Sequence, residues 1–477
     1  MGNVKYILCL ALFFYVGNRY CLGQGVTNVQ YNAIYSGVPW FDDHGNIVNA
    51  HGANIIKENG RFYLIGECHS DTNNAFTAFN CYSSADLYNW KFENQVLKIQ
   101  QDGILGPNRV GERVKVMKCP LTGEFILFMH ADNLGYKDPY IAYAISATIT
   151  GDYTLMGPLL FNGKPIKKWD MGTFQDGDGS GYVLIHGGNI FKLANDYHSV
   201  TEQVLKDMTP ESESPAVFKA NNTYFWLASS RTSWERNDNF YFTANSLKGP
   251  WISRGYFAPD KKLTWDSQTT FVLPLPGIKK DTTYMFMGDR WSYPRQGSAA
   301  TYVWQPLKVS ESSIAIPQFI DAWKLNLSTA QWGTDKFENK AIVYAGKKQI
   351  SYQGKWDGPG KNDAVEVMNV SAAEGAQMNI NFTGSQIKLY GYNSLNGGYA
   401  KVDLLDKNKK IIATATIDFY SKNPNTGIKY VSPILVKSAY TLIIKVLGAH
   451  SQWSNKAHTI FGSTGDQVAI TKVAIIN

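Results

Sequence analysis

Five side chains capable of acid–base or hydrogen-bonding chemistry recur at one position of a repeated strand pattern. They are His51, Glu112, Asp170, Glu213 and Gln268, in a chain of 477 residues. A carboxyl group is costly to bury unless it is paired or used, so three of them at one repeat position indicate a shared site. Hydrolysis of a glycosidic bond needs such groups, because a protonated carboxyl donates to the leaving oxygen while a partner activates water. The alternative is that each residue only hydrogen-bonds the neighbouring repeat.

Glu213 has the sequence context expected of the acid. It is followed by Ser-Pro-Ala-Val-Phe, an apolar and stiff stretch, and apolar surroundings or a neighbouring anion raise the pKa of a carboxyl group. Asp170, one repeat earlier, is the candidate neighbour. Four aromatic residues fall in loops or strand ends near the five positions, where they could either stack on a sugar ring or pack in the core: Tyr136, Trp234, Trp265 and Trp291.

The repeated unit predicts the elements that must position these residues. After each polar residue come an apolar position, a turn and an aromatic-rich strand, such as residues 62–65 or 224–227. The turn pair Asn59-Gly60 is a strong hairpin signal. Each interval has room for a four-stranded blade, and no amphipathic helix lies between copies. The sequence therefore predicts an all-β chain with a five-bladed β-propeller, whose five polar positions meet at one mouth of the central channel. A different all-β architecture is the alternative.

Composition limits the class of partner. The chain has 42 Gly, 14% aromatic residues and only 18% charged residues, which suits a β-rich protein with many turns and excludes a disordered chain. Its formal charge of +7 comes from 46 basic and 39 acidic residues that are interleaved. No basic block stands out, so neither a nucleic acid nor an acidic lipid surface is an expected partner.

The first 23 residues read as a secretory signal peptide. Lys5 precedes an apolar stretch over residues 6–16, and residues 21–23 offer a signal peptidase small side chains. No later run is long enough to span a membrane, so the mature chain is expected to be secreted or periplasmic. Cys68, Cys81 and Cys119 remain after cleavage. Free thiols are expected, with a Cys68–Cys81 disulfide as the alternative, and no Cys/His cluster has the spacing of a zinc site.

The order of these motifs resembles glycoside hydrolase family 43, and more narrowly its exo-β-1,3-galactanase branch. The resemblance spans about residues 38–332 and is carried by residues 51–52, 62–67, 82–84, 86–90, 170–171, 176–179, 213–218, 234–239, 266–272 and 288–291. It implies an inverting hydrolase that releases galactose from the non-reducing end of β-1,3-galactan in arabinogalactan-type glycans. No cofactor is expected to be required.

The resemblance also implies roles for single residues. Glu213 matches the general acid and Asp170 the aspartate that tunes it. His51 stands where most of the family has an aspartate base, a departure that the galactanase branch shares. Gln268 matches a glutamine that holds the attacking water. Glu112 matches either a ligand of a galactose hydroxyl or the base itself, although Val114 replaces the proline usual in that motif.

Further positions match the subsite for the terminal sugar in this branch: Glu67, Tyr136, Thr232 and Asn237. Together with His51, Trp234 and Trp291 they form the predicted substrate-binding set. Two other functions stay open. One is an α-L-arabinofuranosidase or β-xylosidase of the same family, which the missing first-blade aspartate disfavours. The other is a non-catalytic, lectin-like propeller, which the missing base favours.

A second domain is predicted after the propeller. The propeller is assigned to residues 24–335, and residues 336–477 show short alternating strands with turns at 396–398 and 407–409, which predict a jelly-roll-like β-sandwich. This domain resembles carbohydrate-binding modules. Tyr392, Trp356 and Trp453 are candidates for a sugar platform, with a structural calcium held by nearby acids. The alternative is a structural module packed on the propeller.

Overall fold

The computed structural model describes residues 29–278, 281–335, 341–343, 348–358, 360–362, 365–367, 369–454 and 458–476. The predicted signal peptide, with Cys9 and Cys21, lies outside these residues. Within them, no helix is both long enough and apolar enough to cross a bilayer.

The first two blades are four-stranded antiparallel sheets. A short strand, β1 (Ile34–Tyr35), precedes them. Blade one consists of β2 (His51–Glu58), β3 (Arg61–Cys68), β4 (Ala78–Ser84) and β5 (Lys91–Lys98). After a 3-10 turn at Gly103–Leu105, blade two consists of β6 (Arg109–Lys118), β7 (Phe125–Asn133), β8 (Tyr140–Ser146) and β9 (Thr154–Pro158).

Blade three is enlarged to six strands. It consists of β10 (Leu160–Phe161), β11 (Lys164–Pro165), β12 (Met171–Gln175), β13 (Gly181–Ile185), β14 (Asn189–Leu193) and β15 (Val200–Leu205). Blade four returns to four strands, β16 (Ser212–Ala220), β17 (Thr223–Ser230), β18 (Phe240–Ala244) and β19 (Ile252–Tyr256).

Blade five follows a short turn, α1 (Leu263–Asp266). Its strands are β20 (Gln268–Pro276), β21 (Thr282–Arg290), β22 (Thr301–Val309) and β23 (Ile314–Ala315), with α2 (Gln296–Ala299) in the loop after β21. The chain then adds β24 (Ala322–Asn326) and β25 (Gln331–Thr334) to β1 in a three-stranded sheet.

The inner strands close into a ring. Strand β2 packs against β6, β6 against β12, β12 against β16, β16 against β20, and β20 returns to β2. The hairpin between β2 and β3 turns at Asn59 and Gly60, with φ values of 48° and 78°, as a tight two-residue hairpin turn requires. The prediction of an all-β chain with a five-bladed propeller is therefore confirmed.

The remaining strands form a β-sandwich, as predicted. One sheet contains β26 (Ala341–Val343), β30 (Asn369–Ser371), β32 (Gln386–Asn393), β35 (Asn425–Val431) and β39 (Val468–Ile476). The other contains β27 (Ile350–Gln353), β31 (Gln377–Gly384), β33 (Tyr399–Leu405), β34 (Ile411–Asp418) and β36 (Ser438–Val446). Two small hairpins complete it, β28 (Gly360–Asn362) with β29 (Val365–Val367), and β37 (Gln452–Ser454) with β38 (Ile460–Gly462).

The sandwich shares a hydrophobic core with the propeller. One cluster of buried side chains runs from blades one and five into both sheets of the sandwich, and Phe41 meets Tyr430 edge-on at 6.2 Å between ring centres. Burial of aromatic surface of this kind is the main source of stability in such an interface. The predicted boundary after residue 335 falls where the described residues have a gap, and it stays a prediction.

The three remaining cysteines are free thiols. Cys68 is paired with Ala78 and Cys81 with Ile65 across the neighbouring strands β3 and β4, so the two sulfurs are out of register for a disulfide. The three aromatic residues proposed as a sugar platform are not gathered. Tyr392 is buried beside Ala469, Trp356 contacts Tyr352, and Trp453 contacts Tyr420 and Phe461.

Candidate active site

Four of the five repeated polar residues line one cavity of about 970 Å³. These residues are Glu112, Asp170, Glu213 and Gln268. Each lies in the first four residues of an inner strand or, for Asp170, just before it. The closed ring of blades therefore brings together residues that are far apart in sequence. The fifth residue, His51, does not reach the cavity.

A β-bulge sets the direction of these side chains in three blades. Gly52, Arg113 and Ser214 each follow the repeated polar residue directly and have φ values of 58°, 56° and 57°. The strand register shifts immediately after each of them. A bulge bends the strand and re-aims its side chains, and it is frequent beside active sites. Holding a residue other than glycine at positive φ costs on the order of 1 kcal/mol. The contacts that surround Arg113 and Ser214 must offset this cost.

Glu213 is held by Gln268. The Gln268 side-chain amide donates from Nε2 to Glu213 Oε1 at 2.9 Å and to Ser229 Oγ at 3.0 Å. Burial raises the pKa of Glu213, and the negative charge of Asp170 raises it further, to about 8. A carboxyl group in this environment keeps its proton at neutral pH and can donate it.

Asp170 stays ionised beside it. Its Oδ2 accepts from the backbone N–H of Ser214 at 2.9 Å and from Ser214 Oγ at 3.2 Å, while Oδ1 lies 3.3 Å from Arg113 Nε. Burial alone would raise the pKa of Asp170, but the charge of Arg113, followed by those of His130 and His186, outweighs burial and lowers it. Glu213 and Asp170 are thus two neighbouring carboxyl groups whose pKa values are driven apart, the pattern expected of an acid and its tuning partner.

Arg113 connects the members of the site. Its Nη2 donates to Ser214 Oγ at 2.8 Å and to Gln268 Oε1, and its guanidinium lies 5.7 Å from the ring centre of Trp291. Its backbone N–H donates to Glu67 Oε1 at 2.6 Å. Burial alone would lower the pKa of Arg113, but Asp170 and Glu67 raise it, so the side chain remains a cation.

The Gln268 side chain has protein partners at both ends. Besides the two bonds that its nitrogen donates, its Oε1 accepts from Arg113 and from Trp291 Nε1, the latter at 2.8 Å. A carbonyl oxygen has two lone pairs, and both are engaged here. The predicted role of Gln268 in holding the attacking water therefore requires one of these bonds to open, whereas its contact with Glu213 already exists.

A left-handed turn delivers Gln268 to this position. Leu263, Thr264, Trp265 and Asp266 all have positive φ, between 48° and 59°, which costs roughly 1–2 kcal/mol for each residue. The turn is held by Asp238 Oδ1, which accepts from the Leu263 N–H at 2.7 Å, and by Arg290 Nη2, which donates to the Trp265 carbonyl at 2.8 Å. Trp265 itself donates to the Ile316 carbonyl and does not line the cavity.

Glu112 lies in a second polar group of the same cavity. Its Oε1 accepts from Tyr136 Oη at 2.7 Å and from Asn74 Nδ2 at 2.8 Å, and its Oε2 lies 3.3 Å from His130 Nδ1. On the other side of the imidazole, Nε2 lies 3.3 Å from Asp132 Oδ2. Burial alone would lower the pKa of His130, but hydrogen bonds to Asp132 and Glu112 raise it to about 9.

One group of side chains in the described part of the chain has the proximity of metal ligands. Oxygen or nitrogen atoms of Glu112, His130 and Asp170 lie within 4.8 Å of one another. In this structure His130 lies between Glu112 and Asp132, and Asp170 is paired with Arg113. The three side chains therefore already belong to one ion-paired network.

The predicted substrate-binding residues divide into two groups. Glu67, Tyr136, Trp234 and Trp291 line the cavity. His51 is fully buried, bonds Asp289 through Nδ1 at 3.1 Å and stacks on Tyr302.

Thr232 and Asn237 also do not line the cavity. Asn237 Nδ2 donates to Thr232 Oγ1 at 2.7 Å, and Thr232 Oγ1 donates to the Glu235 carbonyl at 2.7 Å. The two residues shape the loop that carries Trp234. In the structure, they act on the cavity through that loop.

Several cavity residues were not singled out from the sequence: Asn73, Asn74, Arg113, His130, Asp132, Trp169, Arg231 and Tyr293. Arg113 had a usable signal, because it directly follows a repeated polar residue in an inner strand, where a charge is costly. Trp169 had a similar one, as it directly precedes Asp170. His130 and Asp132 lie in strand β7 and the others lie in loops, and their spacing carries no signal. Trp453 was predicted only as a platform residue of the second domain, and the structure places it in this cavity.

Gly52 gives a direct test of this geometry. A Cβ at this position would lie 1.8 Å from Glu67 Oε1, so Gly52→Ala must displace Glu67, which is bonded to Arg113. We expect turnover to fall by about 100-fold, since a shift of about 1 Å in a positioning group has this effect. Gly60→Ala is the matched control, because Gly60 also has positive φ (78°) but no neighbour within 4 Å of the added Cβ. Equal losses of turnover in the two variants would contradict the argument.

Comparison with known proteins identifies the family. Residues 48–255 match the family model of glycosyl hydrolases family 43. No curated protein sequence matches the chain significantly.

Solved structures give the same result. A proposed exo-β-1,3-galactanase from Bifidobacterium bifidum s17 is 33% identical, with a TM-score of 0.55, over 59% of this chain and 95% of the other. An exo-β-1,3-galactanase from Phanerochaete chrysosporium with bound galactose is 25% identical, with a TM-score of 0.66, over 93% of this chain and 100% of the other. A family 43 β-1,3-galactosidase with galactodeoxynojirimycin is 27% identical, with a TM-score of 0.55, over 61% of this chain and 100% of the other. The chain therefore belongs to glycosyl hydrolases family 43 and is a glycoside hydrolase.

Proposed function

We propose that this protein is an exo-acting, inverting hydrolase that removes galactose from the non-reducing end of β-1,3-galactan in arabinogalactan-type glycans. The observation that carries the proposal is the pair of Glu213 and Asp170, an acid that keeps its proton beside an anion in one cavity. The choice of galactose is supported by similarity to two exo-β-1,3-galactanases and a β-1,3-galactosidase.

In this proposal Glu213 protonates the leaving glycosidic oxygen. Asp170 raises the pKa of Glu213 and is itself held ionised by Arg113 and Ser214. Glu67 and Tyr136 hold hydroxyl groups of the terminal galactose, since a carboxylate and a phenol offer several hydrogen bonds to one sugar. Trp291 supplies an apolar face for stacking.

Two groups are candidates for activating the attacking water. Gln268 is a weak base, and its carbonyl oxygen is already engaged by Arg113 and Trp291. Glu112 is a carboxylate that also lines the cavity. We favour Glu112 as the base and Gln268 as the residue that positions Glu213. An external nucleophile such as azide is expected to restore part of the activity of Glu112→Ala, and to leave Gln268→Ala unaffected. Rescue of Gln268→Ala alone would reverse the assignment.

The mature protein is proposed to act after export, because residues 1–23 have the pattern of a signal peptide. Its substrate would then be a glycan outside the cytoplasm. This part of the proposal is checked by the N-terminal sequence of the protein recovered from the medium or periplasm. An intracellular protein that still carries residues 1–23 would contradict it.

The decisive test uses β-1,3-galactotriose. We expect galactose to be the first product and its initial anomer to be α, as inversion at a β-linkage requires, measured by proton NMR during the first turnovers. With the galactotriose labelled at its reducing end, labelled galactose as the first monosaccharide would contradict exo action from the non-reducing end, and an initial β-anomer would contradict inversion. Release of arabinose or xylose from aryl glycosides, without action on the galactotriose, would favour the other activities of this family.

The pH profile tests the acid. Glu213 must be protonated to act, so kcat/KM is expected to fall as pH rises through about 8, the raised pKa of this group. The measurement is kcat/KM on β-1,3-galactotriose from about pH 4 to about pH 10, a range that contains both candidate pKa values. A basic limb near the ordinary glutamate pKa of about 4.3 would contradict the assignment.

A further inference from the structure

The β-sandwich reaches into the catalytic cavity. Trp453 and Ser454, in the hairpin strand β37, line the same cavity as Glu213, Asp170 and Gln268. All other lining residues belong to the propeller. A module that only packed against the outside of the propeller would contribute no residue to the lining of the cavity.

The cavity differs in character from one side to the other. Blades one and two supply polar groups, among them Glu67, Asn74 and Glu112, while blade five supplies Trp291 and Tyr293 and the blade-four loop supplies Trp234. Trp234 stacks on Tyr293 with 5.9 Å between ring centres and meets Trp291 edge-on at 5.2 Å. Aromatic faces of this kind suit the apolar faces of sugar rings, so the aromatic side can hold sugars beyond the terminal one.

Trp453 is held in place by aromatic neighbours. Its ring stacks on Phe461 and meets Tyr420 edge-on at 6.4 Å. The residue is 6% exposed, and its indole N–H has no hydrogen-bond partner among the residues that the structure describes. A buried indole N–H usually has a partner, and an unpaired one is costly. Because this nitrogen is itself buried, Trp453 lines the cavity through its other atoms.

The sandwich is tied to the loops that carry the aromatic residues. Glu235 directly follows Trp234 in the chain, and its Oε2 accepts from Tyr420 Oη at 2.7 Å. Ser292 Oγ, next to Trp291, donates to Asp418 Oδ2 at 2.8 Å. The hairpin and the two loops are therefore positioned together.

We infer that Trp453 forms part of the subsite for the galactose units that follow the terminal one, so that the sandwich completes the leaving-group side of the active site. This inference rests on the proposed function. It assigns the second domain a direct role in holding the substrate at the active site, in place of a separate platform on its own surface.

The test measures binding to the full-length chain carrying Glu213→Gln, which prevents turnover, by calorimetry with galactose and with β-1,3-galactotriose. Galactose occupies only the terminal subsite. Adding Trp453→Ala is expected to weaken galactotriose binding about tenfold, the range of one lost stacking contact, and to change galactose binding less than about twofold. Trp453→Phe, which keeps an aromatic ring of smaller area at this position, should lie between.

Trp332→Ala is the matched control, since Trp332 is 37% exposed and lies outside the cavity. Unchanged galactotriose binding by both Trp453 variants, or equal weakening for both sugars, would overturn this inference alone. If the unmodified chain releases no galactose from the galactotriose, the proposed function fails, and this inference fails with it. If Trp453→Ala does not fold, galactotriose binding by Trp453→Phe still tests the inference.

Discussion

Replacing Glu213 by glutamine is expected to lower kcat on β-1,3-galactotriose by about 1000-fold, within the range attributed to one general acid. Glutamine keeps the size of the side chain and its contact with Gln268, but it has no acidic proton for the leaving oxygen. KM should change little, because the sugar contacts remain. The measurement is initial-rate kinetics of galactose release.

Glu211→Gln is the matched control for this variant. Glu211 lies two residues earlier, and its side chain is 88% exposed. The activity of the Glu211→Gln variant should therefore equal that of the unmodified chain. A second readout is 2,4-dinitrophenyl β-galactoside, whose leaving group needs little protonation, so the loss for Glu213→Gln should be much smaller. An equal loss on both substrates would show that Glu213 does not act as the acid.

Replacing Asp170 by asparagine is expected to change both the pH profile and kcat. Removing the neighbouring negative charge lowers the pKa of Glu213, because the carboxylate form is then no longer repelled. The basic limb of the kcat/KM profile should therefore move to lower pH. At neutral pH we expect kcat to fall about 100-fold, since less of the acid is protonated and Arg113 loses its charged partner.

Asp176→Asn is the control for the charge change. Asp176 is also an aspartate of blade three with a lowered pKa, for which burial alone would raise the value but hydrogen bonds from Tyr224, Gly177 and Lys219 outweigh it. It does not line the cavity, so its pH profile should keep the basic limb in place. A loss of kcat in Asp170→Asn without any shift of the limb would mean that Asp170 only supports Arg113 and Ser214.

Both results depend on features that could be anticipated to different degrees. Glu213 and Asp170 were identified because identical strand patterns repeat along the chain, and closure of a propeller brings equivalent strand starts to one channel. The bulges at Gly52, Arg113 and Ser214 follow the same repeat. Periodicity was therefore informative wherever a residue lay on an inner strand.

The repeat pattern did not predict the side-chain positions of His51 and of the loop residues. The repeat placed His51 with the other four residues, but its contacts with Asp289 and Tyr302 turn the ring away from the cavity. Thr232 and Asn237 matched subsite positions, yet they bond to each other within their loop. A sequence pattern specifies which strand end a residue occupies, while the side-chain rotamer depends on partners from other blades.

The sequence by itself determined the all-β class, the five blades, the sandwich and the carboxyl pair of the site, because strand alternation, turn residues and repeat spacing are local properties that the chain carries without folding. Only the tertiary structure decided the rest. Arg113 joins residues from blades two, three, four and five, and Trp453 enters the cavity from the second domain. Such contacts arise from packing between distant segments, and the burial that raises the pKa of Glu213 exists only once those segments have closed around it.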